Sequence, residues 1–340
     1  MSQESFLSDA TTTTATTSTS AHKPSQSSIT DYSHKIQSAL QSLSPIITLS
    51  PSILSSQDPP FSLLHHPHVS SQISTLLRHP DSGAGDNHLC RWFYDTFQSG
   101  SPQLQLVVLR FLPIIAGLYL SRIPLRKPLA GFEAVLLALY AHETTSRNGQ
   151  AITVNIPDLS NSSVYHETKE ISKNNSTDFN LAVISPSLEP HGTVRSTRRA
   201  RIVGVTLELY FSKISAMPVD SKVDFCEFCK LWCGEMYKEF DGKEKADEEG
   251  RIPLPWELLQ PILRILSHCL LGAHRKEKNL VESAGKACAS LYGRCLRDID
   301  AKAILATGSL LRLSKMDHVN PNIENEIDCT EVTITSVISL

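Results

Sequence analysis

Apolar residues recur at helical spacing over most of this chain. In segment 132–143, for example, Phe132, Val135, Leu136 and Leu139 fall on one helix face. Comparable periodicity predicts eight helices, at 89–97, 104–123, 132–143, 201–217, 224–240, 257–274, 281–299 and 303–313. Weaker helical patterns occupy 32–43 and 69–77. We therefore expect an all-α protein, built as an irregular helical bundle or a solenoid-like stack of about eight helices.

Polar and proline-rich segments divide this helical region. Residues 1–31 are rich in Ser and Thr, which predicts a disordered tail because such a composition buries too little apolar surface. Five prolines at positions 45 to 67 are expected to prevent a long helix in this segment. We expect a flexible loop at 80–87 and a mobile loop at 168–200. The resulting domain spans 32–315.

Two segments carry a β-type pattern. Ile152, Val154 and Ile156 alternate with polar residues and stop at Pro157, which predicts a strand in at most one short β pair. Residues 316–340 form a predicted flexible tail, and their last apolar residues also alternate in part. The tail pattern fits either an edge strand or irregular chain.

Segment 104–123 is apolar on nearly every side and is long enough to cross a membrane. Gln105, Arg110 and Pro113 interrupt it, however, and a buried helix of a globular protein shows the same composition. We interpret it as a core helix that Pro113 kinks.

The overall charge limits the partners of the chain. Its net charge is −3 at pH 7, so no global basic field is available to hold nucleic acid. The N-terminus lacks a basic segment followed by an apolar one, so we expect no signal peptide. A transit peptide is disfavoured as well, because Glu4 and Asp9 are acidic and the first arginine is Arg78. No P-loop, GxSxG or GxGxxG motif occurs.

The closest approach to a metal motif is Cys226, Cys229 and Cys233. Zinc needs four ligands, and Cys269 or His268 would have to supply the fourth. The three cysteines alternate with large aromatic residues on one predicted helix, as core residues do. We therefore favour thiols packed in the core, and we predict no metal and no cofactor.

Four arginines form the one concentrated basic patch of the sequence. Arg195, Arg198, Arg199 and Arg201, here called the arginine patch, precede a predicted helix. They fit a solvated helix start, which we favour, but also an anionic lipid surface or an acidic protein partner.

Four blocks of the sequence resemble the hyccin family, in its plant branch. They are LCRWFYDTFQSGSPQLQLVVLRFLP at 89–113, AGFEAVLLALYAHE at 130–143, IPDLSNSSVYHE at 156–167 and RIP at 251–253. The resemblance covers roughly residues 32–315. Its most specific motif residues are Ile156, Pro157, Leu159, Ser160, Tyr165, His166 and Glu167.

The resemblance implies a non-catalytic subunit. Hyccins belong to the plasma-membrane complex that makes phosphatidylinositol 4-phosphate. The implied partners are a tetratricopeptide-repeat scaffold protein, the type III alpha phosphatidylinositol 4-kinase and a lipid-anchored membrane-tethering protein. The implied location is the cytoplasm and the cytosolic face of the plasma membrane, reached through these partners. No catalytic residue is implied. Trp92, Phe93, Tyr94 and Phe97 are candidate interface anchors, although the core is the favoured place for each.

Overall fold

The described part of the chain is almost entirely helical. A computed structural model describes residues 26–157, 179–190, 194–195, 198–234, 252–274 and 276–316. These residues form thirteen α-helices and one two-stranded sheet, which confirms the predicted fold class. The helices are α1 (Gln26–Leu43), α2 (Pro51–Leu54), α3 (Pro59–His65), α4 (Pro67–Arg78), α5 (His88–Gln98), α6 (Pro102–Arg110), α7 (Leu112–Arg122), α8 (Ala130–Ser146), α9 (Arg199–Ser212), α10 (Val219–Trp232), α11 (Trp256–Leu271), α12 (Lys278–Asp298) and α13 (Ala301–Met316). The strands are β1 (Ile152–Pro157) and β2 (Phe179–Ser185).

Prolines near the N-terminus begin helices, although they were expected to prevent helix formation there. α2, α3 and α4 begin at Pro51, Pro59 and Pro67. Proline suits the first helical position because the N–H group that it lacks has no helical partner there. α6 likewise begins at Pro102, and the side chain of the preceding Ser101 makes no capping hydrogen bond.

The predicted helix 104–123 is two helices. The chain breaks at Phe111, and α6 and α7 meet at a bend of 45°. Pro113 therefore lies in the first turn of α7, where its ring is tolerated. No single helix among the described residues is long and apolar enough to cross a membrane, whereas this bent pair reaches the required length and composition. Most side chains of α7 are buried, and the helix packs against α4, α8, α9 and α10.

The apolar core extends from α1 to α13, and several of its largest helix contacts lie among the later helices. α9 packs against α8 and α11, and α12 packs against α10, α11 and α13. Trp232 and Phe225 of α10 meet edge to face, with ring centroids 6.4 Å apart, and Phe225 stacks on Tyr210 of α9. All three side chains are buried in one continuous apolar cluster that also contains α5, α7 and α8 residues. The architecture is therefore an irregular stack around a single core.

Strand β2 lies within the segment predicted as a mobile loop. β1 forms at the predicted run Ile152–Pro157 and pairs antiparallel with Phe179–Ser185. The loop prediction is wrong for these seven residues, because the polar residues on both sides of β2 outweighed its short apolar pattern. Ile184 has no partner in the ladder, since Ile152 pairs with Ser185 and Thr153 with Val183.

The ends of the later helices differ from those predicted. α9 ends at Ser212 and is followed by a short 3-10 helix, Ile214–Ala216, where one helix to 217 was expected. α10 ends at Trp232, and residues 235–240 of the predicted helix 224–240 lie outside the described residues. α8 ends at Ser146, where an end at 143 was expected, and the following Asn148 and Gly149 have positive φ, of 49° and 68°.

Candidate functional site

The candidate zinc ligands are core residues. Cys226, Cys229 and Cys233 lie on α10 and at its end, and all three are buried. A hydrogen bond with Cys269 and burial raise the pKa of Cys226 well above its usual value, and burial raises the pKa of Cys233 to about 12. Metal-binding cysteines are thiolates, which an apolar environment disfavours. No group of three or more His, Cys, Asp or Glu in the described chain could hold a metal ion.

A second buried polar cluster surrounds Lys222. The Lys222 Nζ atom lies 3.0 Å from Nδ1 of His274, and the side chain is fully buried on α10. Burial lowers the pKa of Lys222. Burial and the neighbouring Lys222 also lower the pKa of His268, the other candidate fourth ligand. Because the Lys222 side chain is closed off from solvent, we assign it to the core.

A buried ionic cluster joins three elements, and none of its residues was predicted from the sequence to form a site. Glu208 of α9 lies 3.6 Å from Nη1 of Arg147, and the same nitrogen donates to Ser185 Oγ at 2.9 Å. Arg147 also lies 3.3 Å from Glu143. Burial raises the pKa of Glu208, although Ser185 and Arg147 oppose the shift. The one signal in the sequence was an acidic residue alone in the apolar run of α9. The cluster ties β2 to α8 and α9.

Two members of the arginine patch contact the segment that follows β2. Arg198 pairs with Glu189, which follows β2. Arg201 donates to the backbone oxygens of Pro186 and Ser187, at 3.3 and 2.8 Å. Both guanidinium groups thus fasten the segment after β2 to the start of α9.

The other two members differ in exposure. Arg195 is exposed, whereas Arg199 is half-buried next to Tyr119. Burial raises the pKa of Tyr119, and Glu133 adds to that effect, while Arg199 opposes it. Arg195 and the exposed portion of Arg198 therefore remain the surface part of the patch, and its contact with lipid stays a prediction.

The family motif starts at the hairpin. Ile156 and Pro157 are the last two residues of β1, and Ile156 is exposed. The remaining motif residues lie outside the described part of the chain: Leu159, Ser160, Tyr165, His166 and Glu167. The motif therefore begins at the outer end of the strand, away from the buried cluster at Ser185.

A groove of about 730 Å³ lies between α5 and α8. Small residues of α8 line it at helical spacing, namely Ala134, Ala138, Ala141 and Thr145. Tyr94 of α5 stands at its side and is 40% exposed. Of the four aromatic anchors considered from the sequence, Tyr94 alone reaches this surface, because Trp92, Phe93 and Phe97 are buried.

The described polar clusters are used in internal contacts, while the groove and the exposed apolar side chains of the hairpin face outward. The chain belongs to the hyccin family, since the model of the Hyccin family matches residues 55–339. This is a family of non-catalytic subunits. The match starts later than the resemblance noted in the sequence and continues through the C-terminal tail.

Proposed function

We propose that this protein is a non-catalytic subunit of a plasma-membrane complex that makes phosphatidylinositol 4-phosphate. Membership of the hyccin family carries the proposal. The partners would be a tetratricopeptide-repeat scaffold protein, the type III alpha phosphatidylinositol 4-kinase and a lipid-anchored tethering protein. The subunit stabilises the assembly and so supports phosphoinositide homeostasis. Its place is the cytoplasm and the cytosolic face of the plasma membrane.

The groove between α5 and α8 is the surface that best fits the scaffold. Tetratricopeptide repeats are pairs of helices, so the scaffold presents helices to its ligands. The small side chains of α8 let a second helix approach closely, and Tyr94 supplies an aromatic group of the kind that dominates interface energies. A stable interface buries at least about 1,200 Å² in total, so neighbouring surface must contribute as well.

Membrane association is indirect in this proposal. Arg198 and Arg201 are already engaged with Glu189 and with backbone oxygens, which leaves little of the arginine patch for phosphate groups. The second candidate function is a peripheral adaptor that binds anionic lipid directly through the patch. Sedimentation of the purified chain with phosphatidylserine vesicles separates the two, because direct binding would be strong at low salt and weak at high salt.

A bulky charge in the groove should weaken binding of the scaffold. Ala134→Arg places a guanidinium on the exposed side of α8, where it blocks a closely packed helix. We expect the Kd for the purified tetratricopeptide scaffold to rise at least about tenfold, a loss of about 1.4 kcal/mol, in titration calorimetry. The matched control is Ala301→Arg, at an exposed helical alanine outside the groove. If both variants bound the scaffold with equal affinity, the scaffold would bind a surface other than the groove.

A further inference from the structure

Among the described residues, no third strand pairs with the β1–β2 hairpin. Its sheet has two strands, so both outer edges lack a neighbour there. Apolar side chains on both faces are exposed, and Leu181 and Val183 of β2 are 67% and 56% exposed. Isolated two-stranded ribbons are marginally stable, and proteins usually cover such edges. We therefore expect an extended, apolar segment to bind along an edge of the hairpin.

The end of the described chain lies close to this hairpin. Ile184 of β2, Trp256 of α11 and Leu310 of α13 line one cavity of about 290 Å³. α13 ends at Met316, six residues after Leu310, which is about 9 Å further along the helix axis. The chain therefore leaves α13 within reach of β2.

The remaining sequence fits both the hairpin and the surface part of the arginine patch. Residues 332–340, VTITSVISL, are rich in β-branched residues and alternate in part between apolar and polar positions. Residues 317–331 carry five acidic side chains and no Lys or Arg. The sixteen residues from 316 to 332 can span about 50 Å when extended, which is ample for this distance.

We propose that the C-terminal segment of this chain folds back onto its own hairpin. Residues 332–340 add to the free edge of β2 as a third strand, with main-chain hydrogen bonds giving affinity and Leu181 and Val183 giving apolar contact. The acidic residues 317–331 lie along Arg195 and the exposed portion of Arg198, the surface part of the arginine patch, which begins ten residues after β2 ends. The tether favours this occupant over a free partner because it holds the segment at a high effective concentration.

Crosslinking to Cys329 tests the contact in the full chain. The other seven cysteines are buried, so Cys329 can be paired with one cysteine engineered at the surface. Val183→Cys and Phe61→Cys are matched, since the parent side chains are 56% and 59% exposed. With a short bis-maleimide and dilute protein, we expect the intrachain product at Val183→Cys to exceed that at Phe61→Cys at least about fivefold.

A second variant separates docking from random encounter. Adding Val332→Asp and Ile334→Asp to the Val183→Cys chain should lower its yield to that of Phe61→Cys, because charged side chains do not fit an apolar strand. Equal yields at the two engineered positions would overturn the proposal, as would a yield that the Asp substitutions leave unchanged. A predominantly interchain product would also overturn it, in favour of a second copy on the hairpin. The purified chain alone is used, so the outcome does not depend on the lipid-kinase complex.

Discussion

Replacing Arg122 with alanine should lower the free energy of unfolding by about 3–5 kcal/mol, because several buried acceptors lose their donor together. The Arg122 guanidinium is buried at the end of α7. It donates to the backbone oxygens of Arg78, His79 and Ser82 at 3.2, 2.9 and 2.8 Å, and to Ser82 Oγ at 2.8 Å. These bonds hold the start of the loop between α4 and α5, a loop that was expected from the sequence to be flexible. Urea unfolding followed by far-UV circular dichroism measures the loss.

An exposed arginine on a nearby helix provides the control. Arg91 is 82% exposed on α5 and lies 3.7 Å from Asp95, one turn later. Such surface pairs contribute little, so Arg91→Ala should cost less than about 0.5 kcal/mol. If Arg122→Ala cost no more than Arg91→Ala, the guanidinium would not hold the loop in solution, and the proposed role of Arg122 would be wrong.

Gly204→Ala should destabilise the protein by about 1–3 kcal/mol, even though alanine is the better helix former by roughly 1 kcal/mol. A Cβ atom at Gly204 of α9 would lie 2.4 Å from the backbone oxygen of Glu257. That oxygen belongs to the first turn of α11 and cannot rotate away as a side chain would. The two helices would have to separate, and α9 and α11 form one of the main contacts of the core.

Replacing a second helical glycine should have the opposite effect on stability. A Cβ atom at Gly293 of α12 would meet no atom within 4 Å. Gly293→Ala should therefore stabilise the protein by about 0.5–1 kcal/mol through helix propensity. The same urea assay measures both variants. A change of the same sign at the two glycines would show that helix propensity or the unfolded state, and not the approach of α9 to α11, determines the effect.

Two long helices were predictable from the sequence because apolar residues recur in them over several turns. Segment 132–143 lies within α8, and segment 281–299 covers α12 with an error of three residues at its start and one at its end. Short elements were not predictable in the same way. α2 has four residues, too few for a periodic signal, and β2 became a strand through its pairing with β1.

The candidate surfaces could be predicted only in part. Tyr94 was considered as an anchor together with three neighbours, and burial alone distinguishes it from them. The groove forms because α5 and α8 lie side by side in the fold. Their lining residues Tyr94 and Ala134 are about 40 positions apart in the sequence. The arginine patch was visible as a cluster of like charges, but its acceptors include backbone oxygens, which leave no trace in a sequence. The same reason hid the role of Arg122.

Affinity purification of the full-length protein from solubilised plasma membranes tests the proposed function most directly. Mass spectrometry should identify a tetratricopeptide-repeat scaffold and a type III alpha phosphatidylinositol 4-kinase in amounts comparable to the bait, since a stabilising subunit forms a long-lived complex. The Ala134→Arg variant should recover much less of both, whereas Ala301→Arg should recover as much as the unchanged chain. Recovery of neither protein with the unchanged chain, under conditions that keep the kinase complex intact, would contradict the proposed function.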